Sequence, residues 1–133
     1  MGDALILETT FLIDLEREAA RLGSGPAHDL LARHLRHRLH ITPTIAGELA
    51  AGTSMADRAR WESFVAPFNV LALGREVCWE YGNAHRYLQA NGLLIGANDL
   101  WIAAAGLAYR MPVVSRNARH FARVPGLEVV GYA

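Results

Sequence analysis

Five short apolar runs, each of strand length, are separated by stretches in which apolar residues recur with helical spacing. This alternation constrains the fold more than any other feature of the chain. The runs are Leu5-Ile6-Leu7, Leu39-His40-Ile41, Asn69 to Leu73, Pro112-Val113-Val114 and Leu127-Glu128-Val129-Val130. Between them, Phe11, Leu12 and Leu15 share one helical face, Gly23-Ser24-Gly25-Pro26 breaks that helix, and Leu30, Leu31 and Leu35 define a second over Ala27 to Arg38. Thr42-Pro43 reads as an N-cap followed by a first-turn proline. Further helices are predicted over Met55 to Ala66, Arg75 to Ala90 and Asp99 to Tyr109, the last beside Asn98 as a capping residue. Strands that alternate with helices in this way build a mainly parallel sheet covered on both faces, a three-layer α/β/α architecture. Ligands of such sheets lie beyond the carboxyl ends of the strands.

The 133 residues suit one domain spanning 1–133, and 52% hydrophobic content excludes a disordered chain. Thirteen basic residues balance thirteen acidic ones, so a polyanion would have to be met by a local patch. Every one of those basic residues is arginine. A chain without lysine cannot run Schiff-base chemistry, hold a nucleotide in a P-loop or act as a protein kinase, and it lacks the phosphoryl-holding lysine of receiver domains and haloacid-dehalogenase-like phosphatases. The single cysteine, Cys78, excludes an internal disulfide and a cysteine zinc cluster, which suits a reducing cytoplasm. Met1 to Leu7 carries an acid where a signal peptide needs a base, and no stretch approaches the roughly 18–20 apolar residues of a membrane span. A soluble, cytoplasmic protein is expected.

Polar residues at the strand ends, or in the first turns of the following helices, are Glu8, Glu48, Asp99 and Asn117. Three carboxylates and an amide brought together there would suit Mg²⁺ or Mn²⁺, which prefer hard oxygen ligands and are usually held by one or two carboxylates with water and substrate phosphate. Mutual repulsion of the carboxylates would give the cation an electrostatic role.

These same residues carry a resemblance. Leu5-Ile6-Leu7-Glu8-Thr9-Thr10-Phe11-Leu12-Ile13-Asp14 resembles the opening of PIN-domain ribonucleases. Ile41 to Gly52 around Glu48, Ile95 to Ala104 around Asp99, and Pro112 to Phe121 around Asn117 with Val124-Pro125-Gly126-Leu127 after it, are similar to the later motifs in the same order. The likeness spans nearly the whole chain and points to the toxin half of VapBC toxin–antitoxin pairs. It implies a PIN-like α/β/α fold, an endoribonuclease dependent on Mg²⁺ or Mn²⁺, a cognate VapB-type antitoxin, and a homodimer that becomes a heterotetramer or larger with that antitoxin. Two positions depart from the pattern, since Glu8 and Asn117 stand where the family usually has Asp.

On this reading Glu8 and Asp99 are the metal ligands, Glu48 orients or deprotonates the attacking water, and Asn117 positions it. Thr9 and Thr10 would hydrogen-bond the acids from behind, and Ser115 would do so or contact phosphate. Arg116 and Arg119 would supply positive charge for the RNA backbone. The alternative is a PIN-like binding module, impaired in catalysis through Glu8 and Asn117, that keeps antitoxin binding. His34, His37 and His40 lack an accompanying acid pattern and are expected at the surface. Trp61, Phe64 and Phe68 read as core, Cys78 as a buried packing residue, and His120 as part of a structural turn.

Overall fold

A computed structural model describes residues 4–34 and 36–132. The order of elements is β1 (Ala4–Leu7), α1 (Thr9–Arg21), α2 (Pro26–Arg33), β2 (Arg38–Ile41), α3 (Pro43–Ala51), a short 3₁₀ turn (Thr53–Met55), α4 (Arg58–Val65), β3 (Asn69–Val70), α5 (Arg75–Ala90), α6 (Ala97–Tyr109), β4 (Val113–Val114), α7 (Ala118–Phe121) and β5 (Val129–Val130). The five strands form one sheet in the order β3-β2-β1-β4-β5, and every neighbouring pair is parallel. Successive residues of a strand face opposite sides, so the burial of all four residues of β1 means that both faces of the sheet are covered at its centre. The expected mainly parallel α/β architecture is the one observed.

Thr42 caps α3 as its sequence predicts, its Oγ1 accepting from the Ile45 amide at 3.3 Å with Pro43 in the first turn. The helix expected from Ala27 to Arg38 instead spans Pro26–Arg33, because Arg38 is needed in β2 opposite Ala4 and the chain must turn first. Leu35, assigned to that helix from sequence, lies outside the described residues, as do Met1, Gly2, Asp3 and Ala133. Strands β3, β4 and β5 are each two residues long and so shorter than their apolar runs. The 55–66 helix resolves into the 3₁₀ turn and α4, started by Asp57, whose carboxylate accepts from the Arg60 amide. No helix among the described residues is long and apolar enough to cross a membrane.

The core gathers Leu5, Ile6 and Leu7 with Phe11, Leu12, Leu30, Ile41 and the small residues of α6. Gly106 explains why those residues must be small: a Cβ there would stand 2.6 Å from Leu127 and 2.9 Å from Val113, so α6 lies directly against β4. Trp61, Phe64 and Phe68 pack half-buried against this core, and the Trp61 indole donates to the Ala46 carbonyl. Two expectations fail. Cys78 is exposed, because the buried stripe of α5 runs through Val77, Ala84 and Leu88 and Cys78 sits one residue, about 100°, off it. His40 is 7% exposed, held inward by its place in β2 between β1 and β3, and both its ring nitrogens lack a hydrogen-bond partner among the described residues. Burial first, and then the nearby Arg38 charge, push its pKa down, favouring the neutral ring.

Candidate functional site

Strand β1 is the point at which the chain changes direction across the sheet, with β2 and β3 to one side and β4 and β5 to the other. Its carboxyl end is where such a sheet opens a crevice. Glu8 follows β1 there and is 3% exposed. Its backbone amide continues the ladder to the Val114 carbonyl at 2.9 Å, which brings Ser115 alongside it. The Ser115 and Thr10 hydroxyls donate to the same oxygen, Glu8 Oε1, at 2.6 and 2.5 Å. Both hydroxyls also accept, Thr10 from the Arg116 amide and Ser115 from the Asn117 amide, at 3.1 and 2.9 Å. Ser115 is fully buried, so its hydroxyl is spent on Glu8 rather than turned towards phosphate.

Burial is the main influence on Glu8 and pushes its pKa up. Hydrogen bonds from Ser115 and Thr10 pull it down, the negative charge of Asp99 pushes it up again, and the balance lies above the ordinary carboxylate range. Asp99 lies in the first turn of α6. That helix begins at Ala97, two residues before the expected start, and no side chain caps it, so Asn98 has a different task. Its amide donates to Glu48 Oε2 at 3.3 Å, while the Thr9 hydroxyl donates to Glu48 Oε1 at 2.5 Å. Glu48, in the second turn of α3, is therefore tied to the immediate neighbours of both Glu8 and Asp99.

A cleft of about 570 Å³ opens beside these groups, lined by Asp99, Arg116, Asn117, Ala118, Arg119 and His120. His120 on α7 meets Asp99, Nε2 to Oδ2, at 2.9 Å. The sequence places His120 only in a structural turn and gives no signal of this contact, which depends on α6 and α7 meeting in space across 21 positions. The Asn117 side chain is exposed on the cleft, as are Arg116 and Arg119. Arg116 is paired with Asp14 at 2.8 Å.

The donor set suits a hard divalent cation. Glu8 and Asp99 offer carboxylate oxygens, and the charge of Asp99 makes the ionisation of Glu8 costlier, a repulsion that a cation between them would relieve. Two carboxylates are an ordinary protein contribution to such a site. Among the described residues, no three His, Cys, Asp or Glu side chains are gathered into a ready metal cage. Glu48, with both oxygens engaged, stands with the pair through Thr9 and Asn98.

The sequence profile of the PIN domain family matches residues 5–127. Ribonuclease VapC of Rickettsia bellii is 28% identical over 134 residues, covering 95% of this chain and 94% of that protein. In a crystal structure of VapBC2 from Rickettsia felis bound to a promoter DNA fragment, one chain superposes with a TM-score of 0.82 at 21% identity, covering 98% of this chain and 99% of its own. VapBC-5 of Mycobacterium tuberculosis, a member of the VapBC family of toxin–antitoxin systems, gives 0.66 at 22% identity over 97% of both chains.

Proposed function

This chain belongs to the PIN domain family, and from that premise we propose that it is a divalent-metal-dependent endoribonuclease, the toxin of a VapBC-type pair. The observation that carries the reading is the buried Glu8, gripped by Thr10 and Ser115 at the carboxyl end of β1 with the charge of Asp99 acting on it. A buried carboxylate held by two donors yet still biased against its charged form suits a cation site. The resemblance to ribonuclease VapC supports RNA as the substrate.

Glu8 and Asp99 would hold the ion, Mg²⁺ or Mn²⁺. When bound, it supplies positive charge against the charge developing on the phosphate and lowers the pKa of water. The chain's own contributions are separable. Glu48 accepts or orients the proton of the attacking water, its carboxylate fixed by Thr9 and Asn98. Asn117 offers a neutral amide on the cleft, able to bind water or a phosphate oxygen. Arg116 and Arg119, on the same rim, attract the RNA backbone. His120 donates through Nε2 to Asp99 Oδ2 and so fixes that carboxylate's orientation.

The partner is a VapB-type antitoxin, seated in the groove between α1 and α4. Leu15, Ala19, Ala20, Met55, Phe64 and Phe68 line it, and Glu16 and Arg60 pair across it at 3.1 Å. An amphipathic helix fits such a groove by its apolar face.

The test is cleavage of a mixed RNA pool with Mn²⁺ or Mg²⁺ by this chain and by its Asp99→Ala form, each purified without antitoxin, together with melting temperatures at increasing metal. The expected result is cleavage and a metal-dependent rise in melting temperature for the natural chain, and neither for Asp99→Ala. A folded chain that neither cleaves nor responds to millimolar metal overturns the enzyme and leaves an antitoxin-binding module.

A further inference from the structure

Arg116, a cleft arginine, is gripped by the fold at both ends. Its backbone amide donates to the Thr10 hydroxyl, and its guanidinium donates through Nη1 to Asp14 Oδ1 at 2.8 Å. Thr10 and Asp14 are one turn apart on α1 and so share a face. The second oxygen of Asp14 is also engaged, because the Tyr132 hydroxyl, from the chain just beyond β5, donates to Oδ2 at 2.6 Å. The Tyr132 ring is itself anchored, packing edge-on against the fully buried Phe11 at 5.1 Å. Burial first, then the bond to Asp14, hold the Tyr132 pKa far above its usual value, so the hydroxyl remains a donor.

The guanidinium stays 47% exposed while Asp14 is 20% exposed. An ion pair with so open a partner contributes little to stability. What the arrangement does achieve is to fix one arginine rotamer on the rim of a cleft that also holds Asp99 and Asn117. Arg119, exposed on the same rim, makes no ion pair among the described residues. Ordering a long, rotamer-rich side chain opposes binding, and a group already held in place avoids that cost.

We propose that Tyr132 and Asp14 are positioning residues for RNA, Tyr132 acting through Asp14 to hold the Arg116 guanidinium in place for a backbone phosphate. The proposal rests on the ribonuclease reading for its substrate, but its test is a binding measurement that does not require turnover. A fluorescently labelled single-stranded RNA oligonucleotide of mixed sequence is titrated in EDTA with this chain and with folded variants.

Tyr132→Phe is expected to weaken binding by about two- to tenfold, the cost of ordering one such side chain. Arg116→Gln is expected to weaken it further and reduce the salt slope by about 0.7. In the Arg116→Gln background Tyr132→Phe should have no added effect, whereas in the Arg119→Gln background its full effect should remain. Asp14→Asn should also weaken binding although it removes a negative charge, opposite to what simple repulsion of RNA by Asp14 predicts. Equal losses from Tyr132→Phe with and without Arg116, or tighter binding by Asp14→Asn, overturn the proposal. Binding with the expected coupling but no cleavage under any metal overturns the ribonuclease reading alone. A natural chain that binds no RNA overturns both.

Discussion

Replacing Ser115 with alanine isolates one hydrogen bond to a buried charge, and the structure fixes how its effect must vary with pH. The Ser115 hydroxyl donates to Glu8 Oε1 at 2.6 Å, is fully buried, and also receives the Asn117 amide. With Glu8 protonated, the loss is that of a neutral hydrogen bond, about 1 kcal/mol. With Glu8 ionised, it is that of a charge-assisted bond, about 1.5–3 kcal/mol, because water cannot replace the lost donor at a site this closed. The orphaned Asn117 amide adds a contribution at every pH.

The pKa of Glu8 is raised in the folded protein, so the natural chain loses stability as pH rises from the ordinary carboxylate value through the folded one. Removing Ser115 raises that pKa further and deepens the loss. The difference in unfolding free energy between the two proteins should therefore be smallest at acid pH and grow by about 0.5–2 kcal/mol as pH passes through the titration of Glu8. Urea unfolding of both proteins in EDTA, repeated from about pH 4 to about pH 8, measures it. A difference that stays flat with pH would mean that Ser115 does not hold the ionised carboxylate.

Two other perturbations follow from the same contacts. Glu8→Asp withdraws the carboxylate by about one C–C bond, ~1.5 Å, from the Ser115 and Thr10 hydroxyls that now meet it at 2.6 and 2.5 Å; it should cost about 2–4 kcal/mol in metal-free denaturation, and equal stability of the two forms would show that the pocket is not shaped for glutamate. Glu18 caps α2 from a distance, accepting from the Ala27 and His28 amides at 2.9 and 3.0 Å and meeting the His28 ring at 2.8 Å. Burial pushes its pKa up, but these partners outweigh it and leave the pKa below the ordinary value. The stabilisation is thus present above the ordinary carboxylate pKa and is lost as pH falls through the lowered one. Glu18→Ala should cost about 0.5–2 kcal/mol at neutral pH and less in acid, read by thermal melts, and a constant cost would argue against the cap.

What was legible in the sequence was whatever short stretches determine by themselves. Apolar runs broken by helical periodicity mark the parallel α/β sheet, Thr42-Pro43 marks the start of α3, and polar residues after strands or in the first turns of the following helices single out Glu8, Glu48 and Asp99 as candidates. Misplaced boundaries came from competition between local pattern and sheet register. The pattern over Ala27 to Arg38 continues as helix, but pairing Arg38 with Ala4 takes the last residue for β2. His40 is a second case of the same competition, because its polar type argues for the surface while its position between two paired strands requires burial.

The contacts that give the site its character lie between segments far apart in sequence: Ser115 with Glu8 across 107 positions, Asn98 with Glu48 across 50, and Tyr132 with Asp14 across 118. None has a local signal, because each exists only once β4 has paired with β1 and α6 has closed against the sheet. Gly106 makes the second of these possible, since any side chain there would push α6 away from Val113 and Leu127. Asn98 and Asp99 ride on that helix. The distance at which Asn98 reaches Glu48 and Asp99 acts on Glu8 is therefore set by a glycine two turns away that carries no chemistry of its own.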